Sequence, residues 1–295
     1  IEPRILEALA NHCAEDLFYK GQQMRIPLAR VPTMTEVFGV DQYIHRKAFS
    51  TITDGEFSFK APSQPVRLFD TPPKFGGTVA ELGAHTSDWI SLKSHELRNK
   101  EDTSIKPSEL PLNGLTIIDL GMGWAGPLAA RNLADLGATV IKVEGCVRFD
   151  WFRNWEASQE WIDDDGAEKA INFIYVNRNK LDVTLDFEQQ AGRELLLKLI
   201  GEADAVIENY SGGVLPKLKL EYESLKKVNP ELVMVSMPAF GSTGPWSGFR
   251  AYGSTVEQAA GLPHLQGSED QPPTMLHVAF GDAIAGLYGS SALLT

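Results

Sequence analysis

Between residues 115 and 144 the chain reads LTIIDLG, then AGPLAARNLADLG, then TVIKVE. The first and last are continuous apolar strands, and the middle is a helix stopped by glycine. Two strands joined by a helix in so few residues pair in parallel, through a right-handed crossover. A parallel sheet must be covered on both faces, so more helices are required. The alternation resumes downstream, with LDVTLDF (181–187), DAVIENY (204–210) and LVMVSMPAFG (232–241) as strands. QQAGRELLLKLIGEA (189–203) and YESLKKVN (222–229) are the helices between them. The fold class is α/β, a doubly wound parallel, Rossmann-like sheet with helices on both faces.

Upstream the pattern differs. Residues 4–20 place Ile5, Leu6, Leu9, Ala14, Leu17 and Phe18 at helical spacing. IPLARVPTMTEVF is a short extended segment, with Thr33 or Thr35 capping another short helix. Residues 54–71 are extended and turn-rich, and PVRLFDTPP (65–73) has the pattern of a strand ending at prolines. Residues 95–111, of mixed charge and proline with few large apolar side chains, are a linker. There is no internal repeat.

A net charge of −12 excludes general nucleic-acid binding, which needs a basic footprint. No apolar run reaches membrane-spanning length. Cys13 and Cys146 match no metal-ligand spacing, so no metal is expected. They read as buried free thiols of a cytoplasmic protein.

Three segments are candidates for chemistry. GMGWAGP, with Gly121, Gly123 and Gly126, has the spacing of a dinucleotide loop, and Glu144 falls near the position of the ribose acid. Trp124, expected to fill the turn where a pyrophosphate must approach, and Pro127 favour a plain tight turn instead. Arg178, Lys180, Lys217 and Lys219 lie near strand ends, where ligands are met, but each alone reads as a solvated cation. Asn209 ends a strand beside Gly212 and Gly213. The third candidate is Asp282, between TMLHVAF, which alternates like a strand, and the helical AIAGLYGSSALL. An aspartate there is a good N-cap, worth about 1 kcal/mol. The same geometry keeps a carboxylate ionised and offers N–H groups to an oxyanion. Gly281, Ala283, Ala285 and Gly286 would leave room for a substrate. Physics alone ranks the cap ahead of a nucleophile.

PLNGLTIIDLGMGWAGPLAARNLADLGATVIKVE, NRNKLDVTLD, ADAVIENYSGGVLPKLKLEYESLKKVNPELVMVSMPAFGSTGP and the closing Gly281-Asp282 together resemble the class III (CaiB/BaiF-type) CoA-transferases. The resemblance runs from Leu112 to Thr295 and corresponds to the N-terminal half of a member. RIPLARVPTMTEVFGVDQYIHRKAF and PVRLFDTPPKFGGTVAELGAHTSDWI resemble the other end of the family's chain, from its smaller α+β domain and returning tail. The resemblance implies three parts: the tail of one unit (1–94), the linker (95–111) and the head of a second unit (112–295). This is the order of a tandem fusion, as in dimethylsulfoniopropionate CoA-transferase/lyase enzymes.

The resemblance further implies that Asp282 is the nucleophile, passing CoA from an acyl-CoA donor to a carboxylic-acid acceptor through an aspartyl-CoA thioester. Trp124, Asn209, Lys217, Leu218, Arg250 and Tyr252 fall where members contact coenzyme A. CoA is a substrate here, and no tightly bound cofactor is implied. Members form intertwined dimers, which a fusion could reproduce as an intramolecular pair. Trp124 replaces a glutamine of formyl-CoA transferases, and Gly145-Cys146-Val147 replace an adenine-side arginine. The glycine-rich loop that closes over the reacting acid belongs to a part of the family's chain not matched here. A 2-methylacyl-CoA racemase is the second reading, but it requires Gly-His-Asp where this chain has Tyr252-Gly253. A non-catalytic partner half is the third.

Overall fold

The computed structural model describes residues 2–74, 80–91, 110–145, 148–154, 156, 158–276 and 278–295. The helix expected over 4–20 is two helices, α1 (Glu2–Leu9) and α2 (Ala14–Gln23). The break is at Cys13, whose extended backbone (φ −69°, ψ 133°) cannot continue a helix. Cys13 is exposed, not buried as expected, and Cys146 lies outside the described residues. Of the two candidate caps it is Thr33 that acts. Its hydroxyl accepts from Glu36 N at 3.2 Å, and Glu36 Oε2 accepts from Thr33 N at 2.8 Å, a reciprocal capping box. A single tight turn (Glu36–Gly39) follows, then α3 (Asp41–His45).

The extended region holds a hairpin, β1 (Phe49–Asp54) and β2 (Phe57–Pro62), joined by a two-residue turn with Gly55 at φ +58°. The strand expected over 65–73 is absent. The ladder ends at Phe49↔Pro62, and Pro65, Pro72 and Pro73 lack the N–H groups another strand would need. After α4 (Thr86–Ser91), the linker proper falls outside the described residues, save its last two.

The second region is the expected α/β unit. In chain order it comprises β3 (Thr116–Asp119), α5 (Ala125–Asp135), β4 (Thr139–Glu144), α6 (Gln159–Asp163), α7 (Gly166–Lys169), α8 (Ile171–Asn177) and β5 (Lys180–Thr184). It continues with α9 (Gln190–Gly201), β6 (Ala205–Glu208), α10 (Val214–Leu218), α11 (Tyr222–Leu225), β7 (Val233–Ser236), α12 (Gly253–Ala259) and α13 (Phe280–Leu293). The sheet is parallel throughout, in the order β5-β4-β3-β6-β7. The chain therefore winds one way from β3 and then reverses to β6. The loops after β3 and β6 diverge at that reversal, where doubly wound folds place ligands.

Alternation along the strands sorts the core into two layers. Ile117, Val140, Ala205 and Ile207 pack with Ala129, Ala130 and Leu133 of α5. Ile118, Val143 and Val206 pack with Leu196 and Ile200 of α9 on the opposite face. Each such large apolar side chain contributes roughly 1.5–3 kcal/mol on burial.

The strand expected at TMLHVAF does not form over its described residues. β7 ends the sheet and pairs with β6 alone, two prolines precede the segment, and Val278 is exposed. His277 is outside the described residues. Helix α13 starts at Phe280 and lies along α5, and its small residues make that contact possible. A Cβ on Gly286 would stand 2.8 Å from Leu128 Cδ2, and one on Gly289 would meet Ala129 Cβ at 3.2 Å. Gly286 thus serves helix packing, not room for a substrate. Gly286→Val is expected to lower stability by about 1–3 kcal/mol through overpacking, despite a better helix propensity. Urea denaturation would read this, and an unchanged midpoint would refute the packing account.

Candidate active site

The glycine loop at the reversal point is held by side chains at successive backbone groups. Gly121 N donates to Asp119 Oδ1 at 2.8 Å, and Gly121 O accepts from Lys142 Nζ at 2.7 Å. Asn209 takes Met122 from both sides, with Oδ1 accepting from its N–H (2.8 Å) and Nδ2 donating to its carbonyl (2.9 Å). Gly123 N donates to Asp150 Oδ1 at 2.9 Å. The N–H groups of Gly121, Met122 and Gly123, which a dinucleotide loop would turn toward phosphate, are already engaged. Close approach is also blocked, because a Cβ on Gly126 would meet Asn209 Oδ1 at 2.8 Å and Gly121 Cα at 3.0 Å.

The groups behind the loop form a buried ionic cluster. Lys180 Nζ reaches Asp119 Oδ2 (2.7 Å), Asn177 Oδ1 (2.8 Å) and the Pro127 carbonyl (2.9 Å). Lys142 Nζ lies 3.0 Å from Asp150 Oδ2. Burial pushes Lys180 down to about 8, against the pull of Asp119. Burial also works against the charge of Lys142, but Asp119, Asp150 and Glu144 outweigh it and the net shift is upward. Glu144 binds Arg153 (2.8 Å) and accepts from Asp150 N (2.6 Å), so it is part of this cluster and not placed as a ribose acid. Lys180 is thus a buried structural cation, not a solvated one. Arg178 instead pairs at the surface with Asp135 at 2.6 Å.

The indole of Trp124 does not fill the glycine turn. It packs with Phe152, Phe173 and Val176, and its Nε1 is buried without a hydrogen-bond partner among the described residues. The ring over the turn is that of Trp151, which a Cβ on Gly123 would strike. Trp151 in turn meets Tyr252 edge-on, centroids 5.9 Å apart.

Tyr252 leads into Gly253, the first residue of α12, and Gly253 N donates to Asp282 Oδ2 at 2.8 Å. Asp282 is therefore not the N-cap of α13. Ala279 holds that position, and Asp282 lies in the first turn with its carboxylate on the first N–H of a different helix. The backbones meet directly, since a Cβ on Gly281 would stand 2.7 Å from Gly253 O. Gly281 N donates to Glu257 Oε1 at 3.1 Å and Asp282 N to Ala279 O at 3.1 Å, so neither is open to an oxyanion. Burial raises the Asp282 pKa; the Gly253 N–H opposes this, and the Glu257 charge adds to it. The helix N-terminus does not prevail here.

Contacts thus run from Asn209 through the glycine loop, Trp151 and Tyr252 to Asp282, with Trp124 opening α5 beside them. Lys217 and Leu218 sit outside that line, on α10. Lys217 is exposed, and Leu218 packs on the sheet core. Arg250 is exposed, with its N–H and carbonyl held by Gln22 of α2 at 2.8 and 2.9 Å. Sequence reasoning missed Gln22, Gln42, Asp119, Lys142, Asp150, Trp151 and Glu257. The available signal was a charge inside each of two apolar strands, TIID and TVIKVE. Among the described residues there is no His, Cys, Asp and Glu group that could hold a metal, and no helix is long and apolar enough to cross a membrane.

Residues 112–295 match the model of CoA-transferase family III. The chain is 37% identical to a succinate–glutarate CoA-transferase of Agrobacterium fabrum over 183 residues, 62% of this chain and 46% of that protein. A probable CoA-transferase of Mycobacterium tuberculosis aligns over 289 residues at 30% identity, 95% of this chain but 35% of its own length. A CaiB/BaiF family protein from Brucella suis has a similar structure, with a TM-score of 0.56 and 38% identity over 63% of this chain and 48% of its own. The chain thus spans less than half the length of these relatives. A family match over the whole α/β unit, with the same architecture in a solved member, places the chain in CoA-transferase family III.

Proposed function

We propose that the protein transfers CoA from an acyl-CoA thioester to a carboxylic acid, with Asp282 as nucleophile. The observation that carries this reading is the state of the Asp282 carboxylate within the family-matched segment. Oδ2 is held by Gly253 N–H, the group is partly desolvated, and Oδ1 has no hydrogen bond among the described residues. Oδ1 attacks the thioester carbonyl, a C–O bond forms, the C–S bond breaks, and CoA leaves as thiolate. The thiolate attacks the aspartyl carbonyl of the mixed anhydride, giving an aspartyl-CoA thioester and the donor's free carboxylate. An acceptor carboxylate repeats the two steps in reverse, leaving acceptor acyl-CoA and the original Asp282. No redox change and no net proton is involved. A carboxylate is a weak nucleophile, so positioning must supply much of the acceleration.

Trp124, Asn209, Tyr252 and Arg250 form the CoA side of this reading, with Lys217 and Leu218 farther along the same edge. The exposed cations Lys217 and Arg250 suit the phosphates of CoA. The tandem-unit organisation is part of the proposal. It is supported by the 289-residue match to a single relative and by the seating of α2 and α3 on residues 240–259. Pairing with a second unit is supported by exposed Leu287 and Tyr288 on α13 and exposed Ile171, Ile174 and Tyr175 on α8. Those helices flank α5, through Asn132–Ser290 and Arg131–Tyr175 contacts.

Incubation with acetyl-CoA is expected to give a CoA-sized, hydroxylamine-labile adduct by intact mass, absent from Asp282→Ala. No adduct with acetyl-CoA or a panel of short acyl-CoAs would overturn the reading. The attacking form is the anion, so the rate of adduct formation should fall as pH drops through the Asp282 midpoint. Burial places that midpoint above the ordinary aspartate value. A rate profile flat down to the ordinary aspartate range would contradict the assigned environment.

A further inference from the structure

Glu257, on α12, is 4% exposed although it carries a carboxylate. Its Oε1 accepts from Gly281 N at 3.1 Å, while Oε2 is buried without a hydrogen-bond partner among the described residues. In the other direction, Asp282 of α13 accepts from Gly253 N of α12 at 2.8 Å. Each helix therefore places a carboxylate on a first-turn N–H of the other. We propose that Glu257 is a positioning residue for Asp282, clamping the Gly281-Asp282 step through Gly281 N–H so that Oδ2 stays on Gly253 and Oδ1 faces the substrate. This rests on the CoA-transfer reading above.

The arrangement is not one that stability alone favours. It sets two carboxylates against each other, and a buried oxygen without a partner forfeits its hydration with nothing in return. An apolar side chain at 257 would avoid both. What the carboxylate adds is orientation. Gly281 has no side chain to anchor it, and beside the turn bond from Asp282 N to Ala279 O the step is tied to α12 by the Glu257 and Gly253 hydrogen bonds. Of the elements packed on α13, α12 presents Glu257 to Asp282. From α5 and β7 no charged group among the described residues acts on it. The neighbouring titratable Tyr252 faces Trp151.

The test compares Glu257→Gln and Glu257→Ala with wild type, folding being checked by circular dichroism. Glutamine keeps an acceptor for Gly281 N–H and removes the charge, whereas alanine removes both. The rate of hydroxylamine-labile CoA adduct formation is expected to fall roughly 100-fold in Glu257→Ala, the scale of a 1 Å misplacement. Glu257→Gln should keep most of the rate with its pH midpoint moved downward, since a neighbouring negative charge is gone. Wild-type rate in Glu257→Ala, or equal loss in both variants, would overturn the clamp. If wild type itself gives no adduct, the transfer reading fails separately. The clamp is then judged by amide hydrogen exchange at Gly281, where protection should be lost in Glu257→Ala and kept in Glu257→Gln, and unchanged protection in Glu257→Ala overturns it. If Glu257→Ala does not fold, Glu257→Met, which fills the space without an acceptor, takes its place in both measurements.

Discussion

The structure depends on the way the Gly121–Gly123 backbone is fixed by buried charge. Asp119 takes one N–H, Lys142 the carbonyl, Asn209 both groups of Met122, and Asp150 the next N–H. In doubly wound folds this loop lies where the strand order reverses, and its free N–H groups are the usual anion site. Here the N–H groups of Gly121, Met122 and Gly123 are taken by side chains of the protein itself. Buried ion pairs of this kind roughly break even against apolar packing, although losing one partner costs about 3–5 kcal/mol. Net stability therefore does not explain the cluster. Its effect is to make the loop, and with it the start of α5, a rigid element.

That rigidity is passed on by close contact. Helix α5 accepts α13 only because Gly286 and Gly289 let the two approach, and α13 carries Asp282 in its first turn. On the other side Trp151 sits over Gly123 and against Tyr252, one residue before the N–H that binds Asp282. Asp282 is thus fixed from two directions that both begin at the glycine loop. An acid on a lone surface helix would gain at most about 1 kcal/mol of dipole stabilisation and stay fully hydrated. Here burial wins over the single N–H bond, so the anion is less comfortable than in water, in keeping with the nucleophilic role proposed for it.

Much of this fold was legible from periodicity. TVIKVE is a strand over its full length and AGPLAARNLAD is the helix before it, because apolar runs of those lengths between glycines have few alternatives. The failures have particular causes. TMLHVAF alternates like a strand but has no sheet edge beside it, which no local pattern can reveal. Residues 4–20 keep helical spacing across a break at Cys13. At the site, Asp282 was found through its Gly-Asp step and the family resemblance, yet its partner Gly253 is 29 residues away and on another helix. Lys180 read as solvated because its burial depends on Asp119, 61 residues earlier. Trp124 was assigned to the turn that Trp151 covers, since two tryptophans near one loop cannot be ranked without coordinates.

The N-terminal segment shows how far such non-local dependence extends. Gln22 holds both backbone groups of Arg250, and Gln42 holds Phe240, Thr243 and Trp246 in the same backbone-mimicking way. Tyr43 donates to the Ala259 carbonyl at the end of α12, and Phe18 packs edge-on against Trp246. Both glutamines are buried, so their amides must be satisfied; this loop supplies every bond of the Gln42 amide named above, while Gln22 Nε2 also donates to the Leu28 carbonyl at 2.8 Å. The stretch they hold runs directly into Tyr252 and Gly253. The position of the N–H that binds Asp282 is therefore set by a segment more than 200 residues earlier in the chain. If the N-terminal segment is the tail of a preceding unit, the aspartate of one unit is oriented by the other. The pairing of units would then be a condition for reactivity rather than an addition to it.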